Sequence, residues 1–261
     1  MAEAESMPAS HPSMPPPHPP LTTYYRTTAD RDVFVRRLFN QTAAFYDRIN
    51  AALSFGSGAW YRRRALAKAG LCPGQRVLDV AVGTGLVARE ALKILGGSRD
   101  VVGLDLSEGM LRQASRTLAI PLIGGRAEAL PVADASFDFL SMGYALRHVP
   151  ALPLAFSEYK RALRPGGRLL LLEIARPEGQ LAYAAMRFYF SRVVPAISAS
   201  IGGGEEARML MRYYWDTIDT CVPPATIIEE LKRAGFEGIN CDVEFGIFRA
   251  YTARRPECGG T

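Results

Sequence analysis

Arg147 and His148 stand side by side in the stretch GYALRHVP, directly after FDFLSM, an apolar run that reads as a buried strand. The chain has three histidines, and the other two, His11 and His18, lie in a proline-rich head. A guanidinium stays protonated and can hold an oxyanion. An imidazole, with an ordinary pKa of about 6.5, can take a proton directly or through water. Together they offer what a phenol-like nucleophile needs in order to react at carbon: a base and a cation. Adjacent side chains on an extended stretch point to opposite sides, so the two are not expected to face one ligand. Arg147 takes the direct role in this reading. His148 is either the base or a solvent-facing or capping residue.

A second constellation lies upstream. In DVAVGTGLVARE, Gly83 and Gly85 supply the tight turn and close backbone approach that a cofactor needs where a strand passes into a helix. About 20 residues on, GLDLS puts Asp105 at a strand end, where a carboxylate can accept from both hydroxyls of a ribose. The loop alone fits either a nicotinamide dinucleotide or S-adenosylmethionine. Asp79, before the glycines, suits the second: it can orient the loop and meet an ammonium group, and would sit badly beside a pyrophosphate. AEALPVADASFDFL follows at the spacing where methyltransferases read adenine, and YKRALRPGGRLLLLE has their helix, Pro-Gly-Gly turn and strand. A short-chain dehydrogenase would need Tyr-x-x-x-Lys, whereas Tyr159 and Lys160 are adjacent.

The elements that must position these residues alternate. Strand-like runs RVLDVAV, VVGLDL, PLIGG, FDFLSMG and GRLLLLEIA are separated by helix-like LVAREALKIL, SEGMLRQASRTL (with Ser107 as N-cap) and LAFSEYKRAL. That order predicts an α/β fold, a parallel sheet with helices on both faces. TIIEELKRAGF reads as a last helix, and INCDVEFGIFRAYTARR as a hairpin turning near Phe245 and Gly246. Residues 30–70 read as N-terminal helices broken at SFGSG. Residues 178–222 are helical and rich in aromatics, among them Tyr183, Phe190, Tyr213 and Trp215. They form either a packed helical pair or a lid over the strand ends.

Composition bounds the rest. With 261 residues, 48% hydrophobic and 22% charged, the chain can bury one large core. Residues 1–21 are rich in proline and small polar residues and are expected to be disordered, leaving 22–261 as a single domain. No apolar run approaches the roughly 20 residues needed to span a bilayer. The net charge of +5 is diffuse apart from YRRRALAK, read as a solvated helix face or as a surface for anionic headgroups. Nucleic acid is not an expected partner. Cys72, Cys221, Cys241 and Cys258 show no zinc or disulfide spacing, so no metal site is expected and the thiols point to a reducing, cytoplasmic setting.

Several stretches go beyond general cofactor chemistry. FYDRINAALSFG, YALRHV and RYYWDTI resemble segments of the ubiquinone/menaquinone biosynthesis C-methyltransferases (the UbiE type), a resemblance that runs from about Val33 to Arg255. It implies a Rossmann-like class I methyltransferase: a seven-stranded, mostly parallel sheet with the last strand antiparallel, N-terminal helices and a helical lid. By position, Thr84 and the glycine loop (Gly83, Gly85) would meet the methionine part of S-adenosylmethionine and Asp105 the ribose. Arg126 and Ala127 would flank adenine, and Gly143 would face the cofactor from the fourth strand. Arg147 would lie near the acceptor ring, and Tyr46 and Asp47 would close the pocket from the N-terminal helix. The chain departs from the family pattern at Val82 (usually Gly), Arg126 (usually Asp or Asn), His148 (usually Asn) and after SFGSG, where a His-Arg pair is absent.

The expected function is methylation at carbon of a prenylated quinol or related phenolic, an amphiphilic substrate, by an enzyme resting peripherally on the inner membrane face. A homodimer is compatible with the sequence. The alternatives are N- or O-methylation of a phospholipid headgroup or secondary metabolite, and a non-catalytic cofactor-binding scaffold in a quinone-synthesis assembly.

Overall fold

The computed structural model describes His18 and residues 20–54, 57–97, 100–194 and 204–257. Its centre is a seven-stranded sheet in the order β3-β2-β1-β4-β5-β7-β6. The strands are β1 (Val77–Val80), β2 (Val101–Asp105), β3 (Leu122–Gly124), β4 (Phe137–Gly143), β5 (Leu163–Ile174), β6 (Glu237–Glu244) and β7 (Phe248–Arg254). Neighbours pair in parallel except along β7, which is antiparallel to both β5 and β6. The chain order reverses between β1 and β4. At such a switch point the loops leave the strand ends in opposite directions and open a crevice for a ligand.

Alternation along the strands builds a core on each face. Leu78, Val80, Leu140 and Met142 pack with α5 (Leu152–Ala162) and a C-terminal helix over Pro224–Arg233. Val77, Phe139, Leu170 and Leu172 pack with α2 (Gly58–Lys68) and α3 (Leu86–Leu95). Tyr159 is fully buried in the first of these cores, so it serves packing rather than chemistry. α4 (Glu108–Ser115) begins where Ser107 accepts from the Met110 N–H at 3.1 Å, the expected N-cap.

A third core lies above the sheet. One continuous helix, α1 (Thr28–Ser54), packs against α6 (Gln180–Phe188), its π-helical extension Tyr189–Val193, and α7 (Gly204–Asp219). The helix over Pro224–Arg233 is α8. Tyr213, Tyr214, Trp215 and Phe190 are all buried there. The rings of the aromatic segment are thus a packed core, which meets the sheet at Ile174, the last residue of β5.

Within the segment expected to be disordered, His18 is docked: it is 3% exposed and its Nδ1 lies 3.0 Å from the Val149 carbonyl oxygen. Leu21 packs on the third core, whereas Pro20 is exposed. A single aromatic ring with a polar edge found a pocket that the proline-rich context concealed. Residues 1–17 and 19 lie outside the described residues, as does Cys258. Among the described residues no helix is long and apolar enough to cross a membrane.

Candidate active site

The glycine loop is held in shape by two buried carboxylates. Gly83 and Gly85 have φ of +57° and +89°, the left-handed region that glycine enters without strain. Asp105 accepts from the Gly83 N–H and the Ser107 N–H, each at 2.8 Å. Asp79 accepts from the Ser141 hydroxyl at 2.7 Å and the Ala88 N–H, at the start of α3, at 3.1 Å. Burial raises both carboxyls, Asp79 to about 7 and Asp105 to about 6, against the bonds they accept.

A cavity of about 130 Å³ opens beside this loop at the switch point. Its wall includes Gly83, Asp105, Arg126, Ala127, Gly143 and, from above, Tyr46. The first five are residues expected at the cofactor, brought together from four separate strand ends, and Tyr46 on α1 is the residue expected to close the pocket. Asp79, Thr84 and Gly85 are not in that wall. Asp79 lies beneath the loop and is spent on Ser141 and Ala88, so the expected ammonium contact gives way to its other expected role, orienting the loop. Thr84 turns its hydroxyl to Asp47 on α1. Gly85 starts α3, where an added Cβ would fall 2.2 Å from Leu118 Cδ1.

The residues fit S-adenosylmethionine. Asp105 closes β2 as a buried acceptor, the space beside Gly83 holds no atom within 4 Å of where a Cβ would stand, and Glu128 Oε1 is a buried cavity-wall acceptor without a partner. Arg126 is in the wall, but its guanidinium is paired with Asp32 of α1. That pair ties the covering helix α1 to the cavity wall.

A second, larger cavity of about 900 Å³ lies under α6 and α7. Trp60, Tyr61, Tyr189, Phe190, Tyr214 and Phe248 give it an aromatic lining. Tyr144, at φ +59° just past β4, lines both cavities and is their shared wall. Burial raises its hydroxyl well above the usual range, so it stays protonated.

The Arg147–His148 pair is arranged the other way round from expectation. The segment is a 3-10 turn, Leu146–His148, rather than an extended stretch, and it sends the two side chains apart. Arg147 is buried in an ion pair with Glu173, donates to Thr217 Oγ1 at 3.2 Å, and stacks 4.2 Å from the Tyr214 ring centroid. It lines neither cavity. His148 lines the smaller one, stacks on Tyr213 and shares a 3.2 Å hydrogen bond with the Tyr213 hydroxyl, leaving its buried Nε2 without a partner. Burial first, then the charge of Arg147, hold the imidazole well below its usual pKa. It is neutral, and a poor base.

The sequence reading named Tyr46 and Asp47 on α1 but missed Tyr144, and also Asp32 and Asn40, through which the same helix clasps the site. Asn40 Oδ1 accepts from Ser107 Oγ at 2.8 Å and from the Gly109 N–H at 2.7 Å. The only signal was polar residues on the face of a long helix, which reads as solvation. The basic run of α2 likewise proves to be engaged: Arg63 with Glu90, Arg64 with Glu244 and Lys68 with Asp242.

The chain matches the ubiE/COQ5 methyltransferase family over residues 26–253. It is 33% identical over 217 residues to a demethylmenaquinone methyltransferase of Symbiobacterium thermophilum, covering 79% of this chain and 86% of that one. It is 32% identical over 230 residues to the ubiquinone/menaquinone biosynthesis C-methyltransferase UbiE of Pseudoalteromonas translucida, covering 84% and 90%. Among solved structures it resembles a SAM-dependent methyltransferase of Thermotoga maritima, with a TM-score of 0.60, 20% identity, and coverage of 84% and 99%, a likeness of fold.

Proposed function

This chain belongs to the ubiE/COQ5 methyltransferase family, and from that premise we propose that it methylates a ring carbon of a prenylated quinol or closely related phenolic. It is a methyltransferase that uses S-adenosylmethionine. One observation carries the substrate reading: an aromatic cavity of about 900 Å³ adjoins the cofactor cavity across Tyr144. That volume is near the upper end for small-molecule sites, which run from about 300 to about 1,000 Å³. An aromatic lining suits a flat ring with an apolar tail.

When bound, the cofactor supplies a methyl group on a sulfonium. The chain's own residues do the remainder. Gly83, Asp105, Ala127 and Gly143 set the cofactor at the switch point, and Tyr144 with His148 and Tyr46 frames the side from which an acceptor approaches. Holding two reactants in line converts a bimolecular step into an intramolecular one. His148 acts here as a hydrogen-bonding group, the role of an amide at that position, because its imidazole is too weak a base to draw a proton from a phenol. Arg147 acts as a positioning residue: it fixes Glu173 and the Tyr214 ring at the cavity wall.

The mouth of the large cavity supports a peripheral membrane contact, made from the cytoplasmic side. Trp60, Val243 and Phe245 line the cavity and are 54%, 47% and 82% exposed, with Leu181 and Phe188 exposed on neighbouring α6. This apolar rim, rather than the engaged arginines of α2, is the surface that suits a lipid interface.

The test is transfer of a labelled methyl group to a prenylated quinol in mixed micelles, with phosphatidylethanolamine as the competing acceptor. Label in the quinol ring is the expected result. Label only in the headgroup, or none in either with bound cofactor, would remove the reading.

A further inference from the structure

The large cavity is apolar and aromatic, yet two arginines stand in its wall. Arg62, from α2, is 7% exposed, and Arg249, from β7, is 9% exposed. Each leaves its guanidinium Nε buried with no hydrogen-bond partner. Among the described residues Arg62 forms no ion pair, and Arg249 has only Glu178, 3.7 Å away on a side chain 93% exposed. The buried carboxylate across the strand from Arg249 is already spent: Glu173 is paired with Arg147 and accepts from the Arg147 and Ile174 N–H groups. A buried cation without a counter-charge is costly, and residues that bear that cost are commonly completed by a ligand.

From this arrangement we propose that Arg62 and Arg249 form an anion-binding subsite in the aromatic cavity, which takes an acidic oxygen carried on the ring of the methyl acceptor. The inference rests on the reading of this cavity as the acceptor site and narrows it to aromatic acceptors bound as oxyanions. The placement is apt. Arg62 lines the same cavity as Tyr144, the residue that the two cavities share. A guanidinium offers several N–H donors in one plane, matched to a phenolate or carboxylate oxygen. The ring hydroxyl gives its proton to solvent water as the acceptor binds in its anionic form, and no side chain of the site has to be a strong base.

The experiment uses the full chain saturated with S-adenosylhomocysteine and titrates two soluble probes by calorimetry at neutral pH: 1-hydroxy-2-naphthoate, which is anionic, and 1-naphthol, which is neutral. The parent protein should bind the naphthoate at least about tenfold more tightly, the scale of a charge-assisted bond. Equal affinities would overturn the proposal without recourse to any variant. Arg62→Gln and Arg249→Gln should each reduce the preference and together abolish it, with S-adenosylhomocysteine affinity unchanged. Variants that lose S-adenosylhomocysteine affinity and keep the naphthoate preference would assign the guanidiniums to the cofactor's carboxylate instead, which also overturns it. A parent that prefers the naphthoate but methylates no prenylated quinol would leave the subsite standing and remove the quinol reading alone.

Discussion

Arg147 and Glu173 form an ion pair wholly withdrawn from solvent, their side chains 0% and 1% exposed, and the carboxylate also accepts from the Arg147 backbone N–H. Removing the arginine strands that carboxylate in the interior. Arg147→Ala should therefore cost about 3–5 kcal/mol of folding free energy, in addition to any loss of turnover. Arg147→Met combined with Glu173→Leu should recover most of that stability. Chemical denaturation of the single and double variants decides it. A single variant as stable as the parent but inactive would return Arg147 to direct contact with the acceptor.

For His148 the expectation is mild. Its imidazole is held neutral well below pH 6.5 by burial and by Arg147. His148→Asn should keep turnover within about fivefold, well short of the 10²–10⁴ that a general base contributes. The pH–rate profile between pH 6 and 8 should keep its shape. Loss of an acidic limb near pH 6.5 in the variant would identify His148 as the base.

The two carboxylates at the glycine loop should separate by readout. Asp105→Ala removes a cavity-wall acceptor and the partner of the Gly83 and Ser107 N–H groups. Cofactor affinity should fall by about 2–4 kcal/mol, the cost of a charged acceptor plus unpaired donors. Asp79→Asn should chiefly lower stability, because its partners are Ser141 and Ala88 rather than the cavity. Calorimetry with S-adenosylhomocysteine, beside melting curves, distinguishes them, and an affinity loss as large for Asp79→Asn would place that residue at the cofactor.

The docked end of the head carries a pH dependence. Burial lowers the His18 pKa to about 4, while the unfolded chain binds its proton at about 6.5. Stability from this group is complete above pH 6.5 and is lost as pH falls toward 4. At pH 5 the loss is about 2 kcal/mol. His18→Gln should melt at a temperature that falls less between pH 7.5 and 5 than the parent's. Equal slopes would mean that the ring titrates as if exposed.

The parallel part of the sheet was legible because its strands are short apolar runs that close near a glycine or an acid, as in VLDVAVG and VVGLDL, and because β-to-α alternation admits few topologies. The gathering of Gly83, Asp105, Ala127 and Gly143 around one cavity was legible because the strand ends that carry them meet at the switch point. The orientation of Arg147 was not. It depends on a 3-10 turn and on Glu173, 26 positions away and written into a strand as one acid among leucines. Arg62 was hidden in a basic run whose members look alike in sequence, although among the described residues three of the four pair with acids (Glu90, Glu244 and Asp242) and one turns inward without one. His18 was hidden by its company: periodicity cannot flag a single docked ring.

One helix, α1, presents Asp32, Val35, Phe39 and Tyr46 to the cofactor cavity, while Phe34 of the same helix lies against Tyr213 of the layer above. The same helix is thus a wall for one chamber and a brace for the roof of the other. It cannot be displaced on one side without disturbing the other, so a substitution made on α1 for the sake of either chamber is felt in both.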